Sequence, residues 1–346
     1  MDGTQASFER RSRQVRLPSG RRFGVAEFGD PVGEPVLAFH GAPASRLMFD
    51  VTEDEAARLG LRIIAFDRPG YGLSSLDYGA TLDRRTDAFV ELADALGLER
   101  FSILGVSGGG PYSVALAARL GARIPALALI SPLGPVAEMS SPHHLFSSSP
   151  TAEQAAQAEG EREGLKLSFG HRAFFLDLPR HSWVLRVNAE IAMRSFRAAP
   201  QFFAHTFAHL LPRADREVVA DPVIAQSIVD MTLEATRAGI GGGIADLEIY
   251  SEPWLVDYER ITARTKIWQG LEDLIVPVNA SLHLARMIRS SVLERIPEVG
   301  HFWVYRHVGA VLAELGAMIQ AQREPLVPPG ISVHAAPVPE TVRSIA

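Results

Sequence analysis

Gly105-Val106-Ser107-Gly108-Gly109 has the form G-x-S-x-G, and its surroundings give the serine a chemical context. The apolar run Phe101–Val106 leads directly into it, and a run of small residues from Pro111 to Leu120 leads directly out. That is the strand–turn–helix setting in which a serine is held in a strained turn with its hydroxyl pushed outward. Glycines at 105 and 109 suit such a turn, because side chains there would collide with neighbouring backbone. The turn also opens a helix, so backbone N–H groups face the reacting oxygen. By itself the pattern also fits a plain glycine-rich βα turn. A serine hydroxyl is a poor nucleophile without a base, and the base it needs is a histidine held by a carboxylate. Asp273, in Gly270-Leu271-Glu272-Asp273, follows the apolar run Thr265–Trp268, and His301, in Gly300-His301, follows Val292–Ile296. Singly, Asp273 also fits a turn carboxylate and His301 a histidine at a helix start. Together, in the order Ser, Asp, His and each past a strand end, they point to nucleophilic acyl transfer.

The elements that must position these residues alternate. Arg13–Arg16 and Phe23–Phe28, separated by Pro18-Ser19-Gly20, read as a β-hairpin. Pro35–Phe39, Leu61–Phe66, Phe101–Val106 and Ala126–Ile130 read as strands, with a helix over Thr81–Leu96 whose inward candidates are Leu82, Thr86, Phe89, Ala93 and Leu96. Strands separated by helices imply a parallel sheet covered on both faces. The rhythm breaks after Leu133. Residues 165–240 are helix-like and rich in phenylalanine (Phe169, Phe174, Phe175, Phe196, Phe202, Phe203, Phe207), which reads as a segment packing its own core and lining an apolar pocket in preference to a lipid-binding face, and strands resume at Thr265. The expected organisation is an α/β core over 1–133 and 261–322, an inserted helical segment over 134–260, and a proline-rich tail over 323–346.

Composition narrows the classes. The 346 residues carry 34 Lys+Arg against 40 Asp+Glu, a net charge of -6, so no broad surface attracts nucleic acid. Cysteine is absent, which removes disulfides, thiolate metal sites and a cysteine nucleophile. The first 25 residues are polar and arginine-rich with no apolar stretch of a secretory signal, and no run is long enough to span a bilayer, so a soluble cytoplasmic protein is expected. His205 and His209 have the i, i+4 spacing of a zinc pair, but Thr206 stands where H-E-x-x-H needs glutamate, and no metal site is expected. Ser107 occupies the place of the second glycine of a dinucleotide fingerprint, and no phosphate-loop lysine follows, so no cofactor is expected. His143-His144 falls in a polar stretch and reads as solvated. A small-molecule substrate is the expected partner, and a homo-oligomer is compatible with the sequence.

The set His40-Gly41-Ala42-Pro43, Asp67-Arg68-Pro69-Gly70-Tyr71-Gly72, Gly105–Gly109, Gly270-x-x-Asp273-x-x-Val276-Pro277 and Gly300-His301 resembles the α/β-hydrolase superfamily, over about residues 10–133 and 262–320. The resemblance implies that Ser107, Asp273 and His301 form a triad. It also implies that the N–H groups of Ala42 and Gly108 form an oxyanion hole, that His40 and Gly41 support it, and that 134–260 is a helical cap over the pocket. Asp67-Arg68-Pro69-Gly70 reads as a structural turn. Gln269 departs from the histidine that many relatives carry before Gly270. Relatives that open epoxides or remove halide attack with aspartate, which Ser107 argues against. Proline iminopeptidases typically carry tryptophan after the serine, which Gly108 argues against, and a small residue there leaves space beside the nucleophile, compatible with a bulky acyl group. The readings that remain are an esterase or lactonase, a carbon–carbon bond hydrolase, a cofactor-free perhydrolase, and a non-catalytic receptor that keeps the triad.

Overall fold

The computed structural model describes residues 12–77, 79–139, 169–179 and 182–322. Eight strands form one sheet: β1 (Ser12–Arg16), β2 (Arg22–Gly29), β3 (Glu34–Phe39), β4 (Leu61–Phe66), β5 (Ser102–Val106), β6 (Ala126–Ile130), β7 (Arg264–Gly270) and β8 (Ser291–Ile296). Their order across the sheet is β1-β2-β4-β3-β5-β6-β7-β8. The hairpin β1–β2 is antiparallel, and β2 joins the rest by pairing antiparallel with β4; every pair from β4 to β8 is parallel. The expected mostly parallel α/β sheet with an antiparallel N-terminal hairpin is therefore observed.

The helices named here are α1 (Glu53–Arg58), α2 (Leu82–Ala95), α3 (Gly110–Leu120), α4 (Ser182–Ala198), α5 (Pro200–Leu210), α6 (Arg213–Val219), α7 (Pro222–Ala235), α8 (Gly241–Tyr250), α9 (Val278–Met287) and α10 (Val304–Ala321). Alternation along the strands divides the core into two layers. Leu37, Phe39, Ile64, Phe66 and Ile103 pack with α2, α3 and α9, while Val36, Ala38, Ile63 and Ala65 pack with α1 and α10. Strands buried on both faces need apolar residues at every position, which is why β5 and β6 read as unbroken apolar runs. On α2 the expected inward residues Leu82, Thr86, Phe89 and Ala93 are buried, but Leu96 is only half-buried. Arg85 is buried instead, because its guanidinium finds a carboxylate partner inside the protein.

Between β6 and β7 the described residues form helices and no strand. His143-His144 and the tail from Arg323 fall outside the described residues. No described helix is long and apolar enough to cross a membrane.

The chain passes from β3 to β4 on one side and then returns across β3 to place β5 on the other. The loops after β3 and β5 therefore diverge at a topological switch point, where open α/β sheets leave a crevice. Ser107 follows β5, and the loop after β3, which contains a cis Ala42–Pro43 peptide, lies beside it.

Candidate active site

Ser107 is the first residue after β5 and has φ +51°, a left-handed conformation that is costly for a residue with a side chain. The turn is tight because two backbone segments converge on it: a Cβ at Gly109 would meet the carbonyl oxygen of Phe39 and stand 2.9 Å from that of His40. Only glycine allows this approach, and it is what brings the loop after β3 against the serine. The Ser107 carbonyl accepts a hydrogen bond from Leu133 N–H at 3.0 Å, fixing the peptide whose N–H belongs to Gly108.

Asp273 follows β7, and His301 follows β8. His301 Nδ1 and Asp273 Oδ2 are 2.7 Å apart. The second carboxylate oxygen accepts from the N–H groups of Ile275 and Val276, each at 2.9 Å. Burial works against the charge of Asp273, but His301 and these two N–H groups outweigh it and lower its pKa. An ionised carboxylate only accepts, so Nδ1 carries the proton and Nε2 is left as the basic nitrogen. Burial likewise works against protonation of His301, and the Asp273 charge outweighs it, so the histidine pKa stands above its ordinary value. Gln269, noted from sequence only as a departure, donates to Asp273 Oδ2 at 3.2 Å and accepts from Ser281 Oγ at 2.7 Å. It thus helps to hold the carboxylate. No hydrogen bond joins Ser107 Oγ to His301 in this structure, although both line one cavity.

The loop after β3 is held from behind. His40 is fully buried; its Nε2 lies 3.1 Å from Arg68 N–H and its Nδ1 2.7 Å from the Gly41 carbonyl. A backbone N–H only donates, so Nε2 accepts and Nδ1–H donates. The ring is neutral, in keeping with a pKa that burial and the nearby Arg68 drive well below the usual histidine value. Within the chain, the hydrogen bonds among described residues leave the N–H groups of Ala42 and Gly108 unused. Both residues line the cavity with Ser107. Two such donors together can hold a negatively charged oxygen.

That cavity has a volume of about 660 Å³, within the range of small-molecule pockets. Phe174, Phe175, Phe196, Phe203 and Phe207 line it, as the phenylalanine-rich segment leads one to expect, while Phe202 points outward at 66% exposure. Among the described residues no Asp, Glu, Lys or Arg lines it. The space expected beside Gly108 is occupied: a Cβ there would stand 2.6 Å from the Tyr250 hydroxyl and 3.0 Å from Ala42 Cβ. Glycine at 108 therefore admits Tyr250, not a bulky acyl group.

His205 and His209 stand with their Nε2 atoms 3.0 Å apart on an exposed face, and the described residues contain no group of three or more potential ligands for a metal. Asp67 serves the turn, accepting from the N–H groups of Arg46 and Leu73 and from the Arg46 guanidinium. Sequence reading passed over Asp215, Asp246 and Tyr250. All three lie on helices between β6 and β7, and apart from the contact between Asp246 and Tyr250 their partners are distant in the chain, so no local pattern marks them.

A model of the alpha/beta hydrolase fold matches residues 34–307. A 2-hydroxymuconate semialdehyde hydrolase of Pseudomonas putida is 26% identical over 295 residues, which cover 84% of this chain and 88% of that one. Among solved structures, a bromoperoxidase from Bacillus anthracis is similar with a TM-score of 0.64 at 18% identity, covering 89% of this chain and 99% of that chain. A thermophilic esterase from Thermogutta terrifontis is similar with a TM-score of 0.60 at 21% identity, covering 90% and 99%. With the family model matched across most of its length, from β3 to the start of α10, the chain belongs to the alpha/beta hydrolase fold family.

Proposed function

We propose that this protein is a serine hydrolase that cleaves a carboxylic ester, lactone or thioester of an uncharged, mostly apolar substrate through an acyl-enzyme. The observation that carries the reading is the strained Ser107 opening into the same apolar cavity as a histidine whose other nitrogen is bound to Asp273. In this mechanism Ser107 Oγ attacks the carbonyl carbon while His301 Nε2 takes its proton. The acyl C–O bond, or C–S bond in a thioester, then breaks, and the imidazolium returns the proton to the leaving alcohol or thiol. Water repeats the cycle on the acyl-enzyme, releasing the acid and restoring the serine. Asp273 holds the histidine tautomer and stabilises the imidazolium. The N–H groups of Ala42 and Gly108 bind the oxyanion, and loss of one such donor costs about 3–4 kcal/mol of barrier. The helices between β6 and β7 act as a cap that walls the cavity and excludes water, which strengthens those contacts.

The ester reading is preferred to carbon–carbon cleavage on one ground. The relative from Pseudomonas putida is named for an acid, and a carboxylate in this cavity would meet no lysine or arginine among the described lining residues. An ester panel of graded acyl chain length, run beside Ser107→Ala, tests the proposal. Turnover by the native protein that falls by several orders of magnitude in the variant is expected. Equal turnover by Ser107→Ala would sink the assignment, and ligand binding with no turnover across the panel would mark a receptor.

A further inference from the structure

The donors beside Ser107 are backed by a buried ionic cluster whose centre lies on a helix of the inserted segment. Asp246, on α8, is fully buried. Its Oδ1 meets the Arg85 guanidinium at 2.9 Å and accepts from the Tyr112 hydroxyl at 2.6 Å. Its Oδ2 meets the Arg68 guanidinium at 2.5 Å and accepts from the Tyr71 hydroxyl at 2.8 Å. Two guanidinium groups thus share one carboxylate. Burial disfavours the charge on Asp246, but the arginines outweigh it and keep its pKa low, so the carboxylate is ionised.

This cluster reaches the site along two routes. Arg68 donates to the His40 carbonyl and, at 3.3 Å, to the Gly41 carbonyl. The Gly41 carbonyl belongs to the same peptide as the Ala42 N–H, so drawing electron density towards that oxygen strengthens the donor at the other end. One turn beyond Asp246, the Tyr250 hydroxyl lies 2.6 Å from the Gly108 carbonyl and 3.2 Å from Asp246 Oδ2. A phenol has one proton to give. The shorter contact assigns it to Gly108, where it fixes the residue that follows the nucleophile.

We propose that Asp246 and Tyr250 are positioning residues of the oxyanion hole, so that docking of α8 on the core and alignment of the Ala42 and Gly108 N–H groups are one event. The proposal rests on the serine-hydrolase reading above. Asp246 does not line the cavity, and Tyr250 lines it beside Gly108. Asp246 acts through Arg68 and the Gly41 peptide, and Tyr250 through its hydrogen bond to the Gly108 backbone. Both should therefore affect turnover more than ground-state binding.

The test uses the full chain as native protein, Tyr250→Phe and Asp246→Asn. Three quantities are measured: kcat and KM on a neutral aryl ester, the rate at which an alkyl fluorophosphonate adds to Ser107 (read by mass), and thermal unfolding. Tyr250→Phe removes one oxygen and leaves every charge in place, so it is the variant that stays folded if Asp246→Asn does not. The expected result is a loss of kcat and of capture rate on the order of 10-fold to 100-fold in folded Tyr250→Phe, as for small misplacement of catalytic groups. KM should stay within about twofold, and the acid limb set by His301 should not move. Folded Tyr250→Phe with native kcat and native capture, or with its loss confined to KM, would overturn the proposal and leave the hydrolase reading standing. Failure of the native protein to turn over any ester or to be captured at Ser107 would overturn both.

Discussion

His301 is placed between two opposing influences, and their balance sets how the site responds to pH. Burial disfavours the imidazolium, while the ionised Asp273 at 2.7 Å favours it and wins. In the proposed mechanism His301 is the general base and must be neutral, so activity should fall as pH drops through the histidine pKa. Because that pKa is raised, the acid limb of kcat/KM should lie above the ordinary histidine value of about 6.5. In Asp273→Asn the favourable charge is gone and burial remains, so the limb should move to lower pH. The plateau should fall by roughly 10³-fold to 10⁴-fold, because the amide no longer enforces the tautomer with its free base at Nε2. Profiles of kcat/KM between about pH 5 and 9 for both proteins check this; a limb that stays in place in the variant would assign it to a group other than His301.

At the scale of elements, the strand–turn–helix around Ser107 was legible because its causes are local. Apolar β5, the glycines and the small residues of α3 lie within one stretch of chain, and the strand ends at Asp273 and His301 are equally local. What holds the histidine loop was not legible. Asp215 lies on α6, whose sequence Arg-Ala-Asp-Arg-Glu-Val-Val reads as a solvated helix, yet Asp215 is fully buried. Its Oδ1 accepts from Phe302 N–H at 2.7 Å across 87 residues of sequence, and its carboxylate also bonds the backbone of His301. Oδ2 has no partner, and burial raises the pKa of the group despite those bonds. A raised carboxylate pKa means that stability linked to Asp215 is present at low pH and lost as pH rises through the folded value. Asp215→Asn keeps an acceptor and carries no charge, so it should match or exceed the native protein in thermal stability at neutral pH. Asp215→Ala orphans the loop N–H groups and should lose about 1–3 kcal/mol at every pH, with kcat down on the order of 10-fold. Thermal unfolding of both variants near pH 5 and pH 8, beside kcat, checks the contrast. Equal behaviour of Ala and Asn would show that Asp215 does not grip the loop.

The cavity exists only at the scale of the whole molecule, because its wall draws on the loop after β3, on the turn after β5, on helices α4, α5, α7 and α8, and on the start of α10. Sequence pattern marked the phenylalanines as pocket-lining candidates but not which ones face inward, since that depends on how the helices dock. It also read Gly108 as open space, where the distant Tyr250 in fact stands. The resulting wall has one property that bears on the proposed substrate: no Asp, Glu, Lys or Arg among the described residues lines the cavity. A carboxylate carried in on a substrate would lose its water and gain no counter-ion, at an effective cost of several kcal/mol. The net charge of -6 on the chain adds long-range repulsion. Each 1.4 kcal/mol is about tenfold, so a neutral ester should exceed an isosteric ester with a terminal carboxylate by about 100-fold or more in kcat/KM. Paired ester substrates of equal length, one ending in a primary amide and one in the free acid, measure the ratio at low and high salt. Salt should narrow the gap only slightly, because the dominant penalty is desolvation inside the cavity and not attraction or repulsion at its mouth. Comparable kcat/KM for the two would mean that a cation does reach the bound acyl chain, and would return carbon–carbon cleavage of an acidic substrate to the front.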